Sequence, residues 1–230
     1  MRILVVGYSR SGTTLVRKLI AAHPYVKGIL HETMILIANR GVIANAELIY
    51  GYEGGEPIKM RSMCDVEEDT WGEKILYDYP CIDGGVVDAL DYCLFWNELF
   101  APNAAIINVL RYPLDVILSS QQKRGVSLED TVKRYKKHMP ETFYNIFDLP
   151  NSTTIRFEEL LSDTMLVLER VFDKCGLDST RGQIKHSISR ARPDIGGEVD
   201  KNVAYSHKER YRELDGFGLE DIIKNLGYGK

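Results

Sequence analysis

Apolar residues along this chain fall into short blocks, each closed by a glycine, an arginine-proline turn or a polar stretch. Arg2 to Val6 is mostly aliphatic and β-branched and ends at Gly7, the pattern of a strand buried on both faces. From Gly12 to Ala22 the residues Leu15, Val16, Leu19 and Ile20 recur at helical spacing, and His23-Pro24 predicts where that helix stops. The same unit returns at Ala105 to Leu110, an apolar strand that runs into Arg111-Tyr112-Pro113, with the proline at a first helical position that tolerates it. A third strand is predicted at Thr153 to Phe157, and helical patterns cover Val86 to Phe100, Leu128 to Phe147 and Met165 to Cys175. Strands that alternate with helices predict an α/β fold, a parallel sheet flanked by helices on both faces.

Two stretches fit this alternation less well. In 33–80, Gly51, Gly54 and Gly55 break any period and Asp65 to Asp69 form an acidic patch, so an insertion over the active face is expected there. Residues 178–215 are rich in Arg, Lys, Ser and Gly, as expected of a covering segment. At 230 residues, 44% hydrophobic and 27% charged, the whole chain 1–230 reads as one folded domain. The net charge of -4 argues against a surface built to hold nucleic acid, which needs an excess of Lys and Arg. Cys64, Cys81, Cys93 and Cys175 form no C-x-x-C pair and read as reduced structural thiols. The opening MRILVVG is too short for a signal-peptide core and no apolar run is long enough to span a bilayer, so a cytoplasmic protein is expected.

Chemistry enters at Gly7-Tyr8-Ser9-Arg10-Ser11-Gly12-Thr13-Thr14, which follows a strand and opens a helix. That is the context of a phosphate-binding loop: glycines let backbone N–H groups turn around an anion, and the helix N-terminus adds partial positive charge. The sheet is therefore expected to be of the P-loop type. A nucleotide triphosphate loop would read G-x-x-x-x-G-K-[ST], but Thr13 takes the lysine position and the cation stands earlier, at Arg10. The alternative is a strand-to-helix turn that holds nothing. A second anion contact is expected at the next unit, where Arg111 closes a strand and Ser119, about 9 Å along the helix axis from Pro113, shares a face with Lys123.

Several blocks together resemble the sulfotransferases, in particular the group that includes the tyrosylprotein and bacterial sulfotransferases. They are Arg10-Ser11-Gly12-Thr13-Thr14-Leu15, Ala22-His23-Pro24, Trp71-Gly72-Glu73-Lys74, Asn108 to Asp115 with Ser119, and Arg156-Phe157-Glu158-Glu159-Leu160, in family order across residues 1 to about 160. The resemblance implies 3'-phosphoadenosine 5'-phosphosulfate (PAPS) as donor. It implies that Arg10, Ser11, Gly12, Thr13 and Thr14 hold the 5'-phosphosulfate, that Arg111 and Ser119 hold the 3'-phosphate, and that Lys123 adds a basic contact. Transfer to a hydroxyl or phenol acceptor would be an in-line displacement governed by positioning and charge, with Arg10 and Lys74 as fixed cations and no metal. Glu32 matches the family's base, though one residue further from His-Pro than usual and followed by Met34 where an arginine is expected; His31 is the rival base. Phe157 stands where tyrosine is common, and Lys201-Asn202-Val203 with Ser206-His207-Lys208 are expected to cap the donor. Two other functions stay open at this point: a P-loop kinase or nucleotide hydrolase, and a module that binds the nucleotide without turnover.

Overall fold

A computed structural model of the chain describes residues 1–31, 50–53, 56–59, 70–78, 89–191 and 207–228. In chain order its elements begin with β1 (Arg2–Gly7), α1 (Thr13–Ala21), β2 (Val26–His31), β3 (Tyr50–Glu53), β4 (Glu56–Lys59), β5 (Thr70–Leu76), α2 (Ala89–Phe100) and β6 (Ala104–Leu110). They continue with α3 (Pro113–Arg124), α4 (Leu128–Phe147), β7 (Ser152–Arg156), α5 (Phe157–Ser162), α6 (Thr164–Lys174), α7 (Arg181–Ala191), a 3-10 helix (Lys208–Leu214) and α8 (Glu220–Asn225). Five strands pair in parallel in the order β2-β5-β1-β6-β7, and β3 and β4 form a separate antiparallel pair.

β1 is the central strand, and each of its residues is buried. Side chains alternate across a strand, so successive residues of β1 serve different cores. Leu4 and Val6 pack with Tyr92 and Trp96 of α2, Val116 and Ile117 of α3, and Val132, Tyr135 and Ile146 of α4. Ile3 and Val5 pack with Val16, Leu19 and Ile20 of α1, Leu160 of α5, Leu168 and Phe172 of α6, and Ile184 and Ile188 of α7. The expected parallel sheet with helices on both faces is the observed architecture.

Helix ends follow local chemistry. Ser127 caps α4 by accepting from Asp130 N at 3.1 Å, and Asp163 caps α6 by accepting from Leu166 N at 3.1 Å. Gly125 ends α3 in the left-handed region, φ 65°. By contrast, α1 and α3, the helices that follow β1 and β6, open without a side-chain cap.

The structure departs from the sequence expectations at three places. The end of the stretch 33–80, expected as insertion, is β5, a strand hydrogen-bonded on both sides between β1 and β2. Its sequence TWGEKIL hides this because Gly72, Glu73 and Lys74 interrupt the apolar pattern while all three lie buried. β2 was masked in the same way by Lys27-Gly28. Within 178–215, α7 is a packing helix, with Ile184 and Ile188 buried against the α1 side of the sheet, and the proposed capping residues Lys201 to Ser206 lie outside the described residues.

The segment 207–228 returns to the carboxyl ends of β6 and β7. Arg156 donates to Leu226 O and Gly227 O, both at 3.1 Å, and its guanidinium lies 4.6 Å from the Tyr228 ring centre. Cys93 and Cys175 are buried free thiols, and burial pushes the Cys175 thiol up to about 12; Cys64 and Cys81 lie outside the described residues. Among the described residues no helix is long and apolar enough to cross a membrane.

Candidate anion site at the carboxyl ends of β1 and β6

The loop from Gly7 to Thr14 has backbone requirements that explain its composition. A Cβ on Gly7 would lie 2.6 Å from Val109 O and 2.7 Å from Ser11 Oγ, so the loop and β6 approach too closely for any side chain there. Gly12, the residue before α1, sits at φ 98°, and a Cβ would also strike the Phe157 ring at 2.2 Å. Arg10 is the only described non-glycine residue at positive φ, 72°. A left-handed conformation costs such a residue about 1–2 kcal/mol and needs surroundings that hold it.

Those surroundings come from the second unit. Arg111 Nη1 donates to Arg10 O at 3.2 Å, and Arg10 Nε donates to Ser119 Oγ at 3.0 Å. Arg111 and Ser119 are both buried, whereas Lys123, one turn further along α3, is exposed. The Arg111 guanidinium lies 5.0 Å from the centre of the Phe157 ring, so Phe157 packs between Gly12 and Arg111. The two anion contacts expected at opposite ends of a ligand are therefore in direct contact here through Arg10.

The loop also presents unmet donors. Ser11 Oγ is buried and has no hydrogen-bond partner, and α1 opens uncapped directly after Gly12. Thr13 is buried and Thr14 exposed at the first two helical positions. An uncapped helix start beside a buried unpaired hydroxyl and two arginines offers donors and positive charge of the kind an anion can meet.

Around Arg111 the charges are held by the C-terminal segment. Asp115 lies 4.0 Å from the Arg111 guanidinium and accepts from His207 N at 3.0 Å and Tyr211 OH at 2.7 Å. Glu158 accepts from Tyr112 N at 2.8 Å and from Tyr228 OH at 2.9 Å. Burial raises both carboxyls above their ordinary values, against the pull of these hydrogen bonds and of Arg111. Burial likewise loosens the hold of Arg111 on its proton, opposed first by Asp115 and then by Glu158.

Lys74 is buried in β5, in register with Val5 of β1 and with His31 of β2. Its position level with Val5 puts it on the α1 side of the sheet, two residues short of the level of Gly7, about 7 Å by strand rise. Its neighbour Glu73 faces the other way and accepts from Tyr92 OH. Glu32, the base expected from the sequence, lies outside the described residues, one position beyond His31 at the end of β2.

Sequence reasoning missed one cluster at this edge. Asp78, two residues past β5, accepts from Ser9 N at 2.9 Å and forms an ion pair with Arg124 of α3. Arg124 Nη2 also donates to Ser9 Oγ at 3.0 Å, and Arg134 of α4 donates to the Asp78 main-chain oxygen. The signal was a carboxylate just beyond the carboxyl end of a strand, readable only once Thr70–Leu76 is recognised as that strand.

No family model and no curated protein sequence matches this chain. Solved structures do. The sulfotransferase domain from the curacin biosynthetic pathway matches with a TM-score of 0.63 at 14% identity, covering 98% of this chain and 97% of that one. The sulfotransferase domain of the olefin synthase of Synechococcus PCC 7002 matches with a TM-score of 0.61 at 17% identity, covering 100% and 96%. A mouse sulfotransferase complexed with PAP matches with a TM-score of 0.56 at 16% identity, covering 97% and 85%. Over nearly its full length, the chain has the fold of these sulfotransferases.

Proposed function

We propose that this protein is a sulfotransferase that moves a sulfuryl group from PAPS to a hydroxyl or phenol of an acceptor. The observation that carries the proposal is the contact of Arg10 with both Arg111 and Ser119, which brings the loop after β1 beside the residues expected to meet a second phosphate. The fold shared with sulfotransferases, one of them solved with PAP, supports it.

The residues present fit such a donor. The buried, unpaired Ser11 Oγ and the uncapped start of α1 suit its 5'-phosphosulfate, together with Gly12, Thr13 and Thr14. Arg111 and Ser119 would hold the 3'-phosphate, with Lys123 as an outer cation. The donor supplies an activated sulfuryl group on a phosphate leaving group. Arg10 and Lys74 are the cations that would stabilise charge on that leaving group, and the burial of Lys74 strengthens its effect. Glu32 would accept the proton of the acceptor hydroxyl. With Thr13 in the lysine position of the triphosphate loop, a metal-dependent nucleotide kinase fits these residues less well.

Thermal unfolding with added ligand tests this. The 3',5'-bisphosphate PAP should raise Tm in the presence of a chelator, by more than ATP with magnesium does. Equal shifts, or none with PAP, would overturn the proposal. Consumption of PAPS with phenolic, alcoholic and sugar acceptors in turn would then identify the acceptor class.

A further inference from the structure

We infer that Asp78 is a positioning residue for the donor loop, acting on Ser9 directly and through Arg124. The inference rests on the donor site proposed above and adds to it what sets the shape of the loop. Asp78 is buried, and taking a carboxylate out of water is costly unless cations and donors surround it. Here they do. Ser9 N–H donates to Asp78 Oδ1 at 2.9 Å, Arg124 pairs with Oδ2, and Arg134 Nε stands 3.9 Å from Oδ2. Arg124 also reaches Ser9 Oγ at 3.0 Å. Ser9 is thus fixed at both its amide and its hydroxyl by one ion pair, which draws together the end of β5, the end of α3 and, through Arg134, α4.

The placement has a purpose because Ser9 immediately precedes Arg10, whose left-handed backbone has to be imposed from outside. Arg111 holds the carbonyl side of Arg10. Asp78 and Arg124 hold the residue on its amide side. Between these two clamps the loop keeps the conformation that leaves Ser11 Oγ unpaired and α1 uncapped. Without the Asp78 clamp, Ser9 and Arg10 relax towards ordinary backbone angles and the cradle has to be rebuilt whenever an anion binds. Asp78 and Arg124 need not touch the donor for this. Their effect appears as donor affinity.

The full chain carrying Asp78→Asn, Arg124→Gln or Ser9→Ala tests the inference in two measurements, each at a temperature where circular dichroism shows the variant folded. In ligand-free protein, amide hydrogen exchange across Ser9 to Thr13 should quicken in all three variants while exchange in β1 stays as in the wild type. By calorimetry, PAP affinity should fall about tenfold in Asp78→Asn and Arg124→Gln, the effect of one lost charge-assisted hydrogen bond. The Ser9→Ala, Arg124→Gln double variant should be no weaker than Arg124→Gln alone, since both remove the same contact. Unchanged loop exchange, or lowered folding stability with PAP affinity intact, overturns the inference. Ser9→Ala deletes a single oxygen and keeps the test decisive if the charge variants do not fold. A wild-type protein that ignores PAP would sink the donor proposal instead, and the loop exchange would still decide whether Asp78 shapes the loop.

Discussion

Arg10 Nε and Ser119 Oγ are 3.0 Å apart, so a guanidinium from the loop after β1 occupies a hydroxyl from the helix after β6. For Ser119 to receive a phosphate, that guanidinium has to turn away or share the oxygen. Ser119→Ala should therefore discriminate between ligands. Titration calorimetry is expected to show PAP binding weakened about tenfold, the loss of one charge-assisted hydrogen bond, while adenosine 5'-phosphate changes by less than about twofold. Equal losses for both nucleotides would mean that Ser119 supports the loop and does not meet the 3'-phosphate.

Gly12 combines a positive φ with a ring where its Cβ would be. Gly12→Ala should lower stability by more than the about 1–2 kcal/mol of the left-handed penalty, because the Phe157 ring must also move. Adding Phe157→Leu should recover only the steric share. Thermal unfolding of the single and double variants reads both, and a Tm for Gly12→Ala equal to the wild type would contradict the geometry.

Glu32 and Lys74 are proposed for the transfer step, not for holding the nucleotide. Glu32→Gln and Lys74→Met should each lower kcat by about a hundredfold or more, the scale of a lost proton acceptor or leaving-group cation. PAP affinity should change little in Glu32→Gln. Full turnover in Glu32→Gln would shift the role of base to His31, and the His31→Ala variant then separates the two.

Glu158 is raised by burial, which fixes the sign of its effect on stability. Between its unfolded and folded pKa the native state binds more protons than the unfolded chain, so stability falls as pH rises through that window and stays lowered above it. Asp115, raised for the same reason, acts in the same direction. Relative to Glu158→Gln, which does not titrate, the wild type should lose ground as pH rises through and above the ordinary glutamate range. Denaturant unfolding of both proteins from acid to neutral pH checks it, and a wild-type stability that, relative to Glu158→Gln, stays constant or rises with pH refutes the assignment.

The strands that carry the loop and Arg111 were legible because β1 and β6 are mostly apolar runs, interrupted inside only by Asn108, which is what burial on both faces of a parallel sheet demands. β5 was not, since Glu73 and Lys74 are charged residues whose burial is settled by partners distant in sequence, such as Tyr92. The same reason concealed Asp78: its meaning lies in Arg124 and Arg134, 46 and 56 residues away. Arg10 was legible as a cation displaced from the usual lysine position, but its attachment to Ser119 spans 109 residues and belongs to the packing of α3 on the sheet. Phe157 could be compared with a family position, whereas its wedge between Gly12 and Arg111 became visible only with the chain folded.

The alternation along β1 divides the protein's mechanical support. Leu4 is moored to the helices that bear Ser119, Arg124 and Arg134, while Ile3, its immediate neighbour, is moored to α1 and to the helix that begins at Phe157. Shaving one methyl from either residue would loosen a different wall of the same site: the first loss would be felt at Ser119, the second at the turn that opens α1. A single central strand thus braces both walls, and Arg10 is the rivet that joins them.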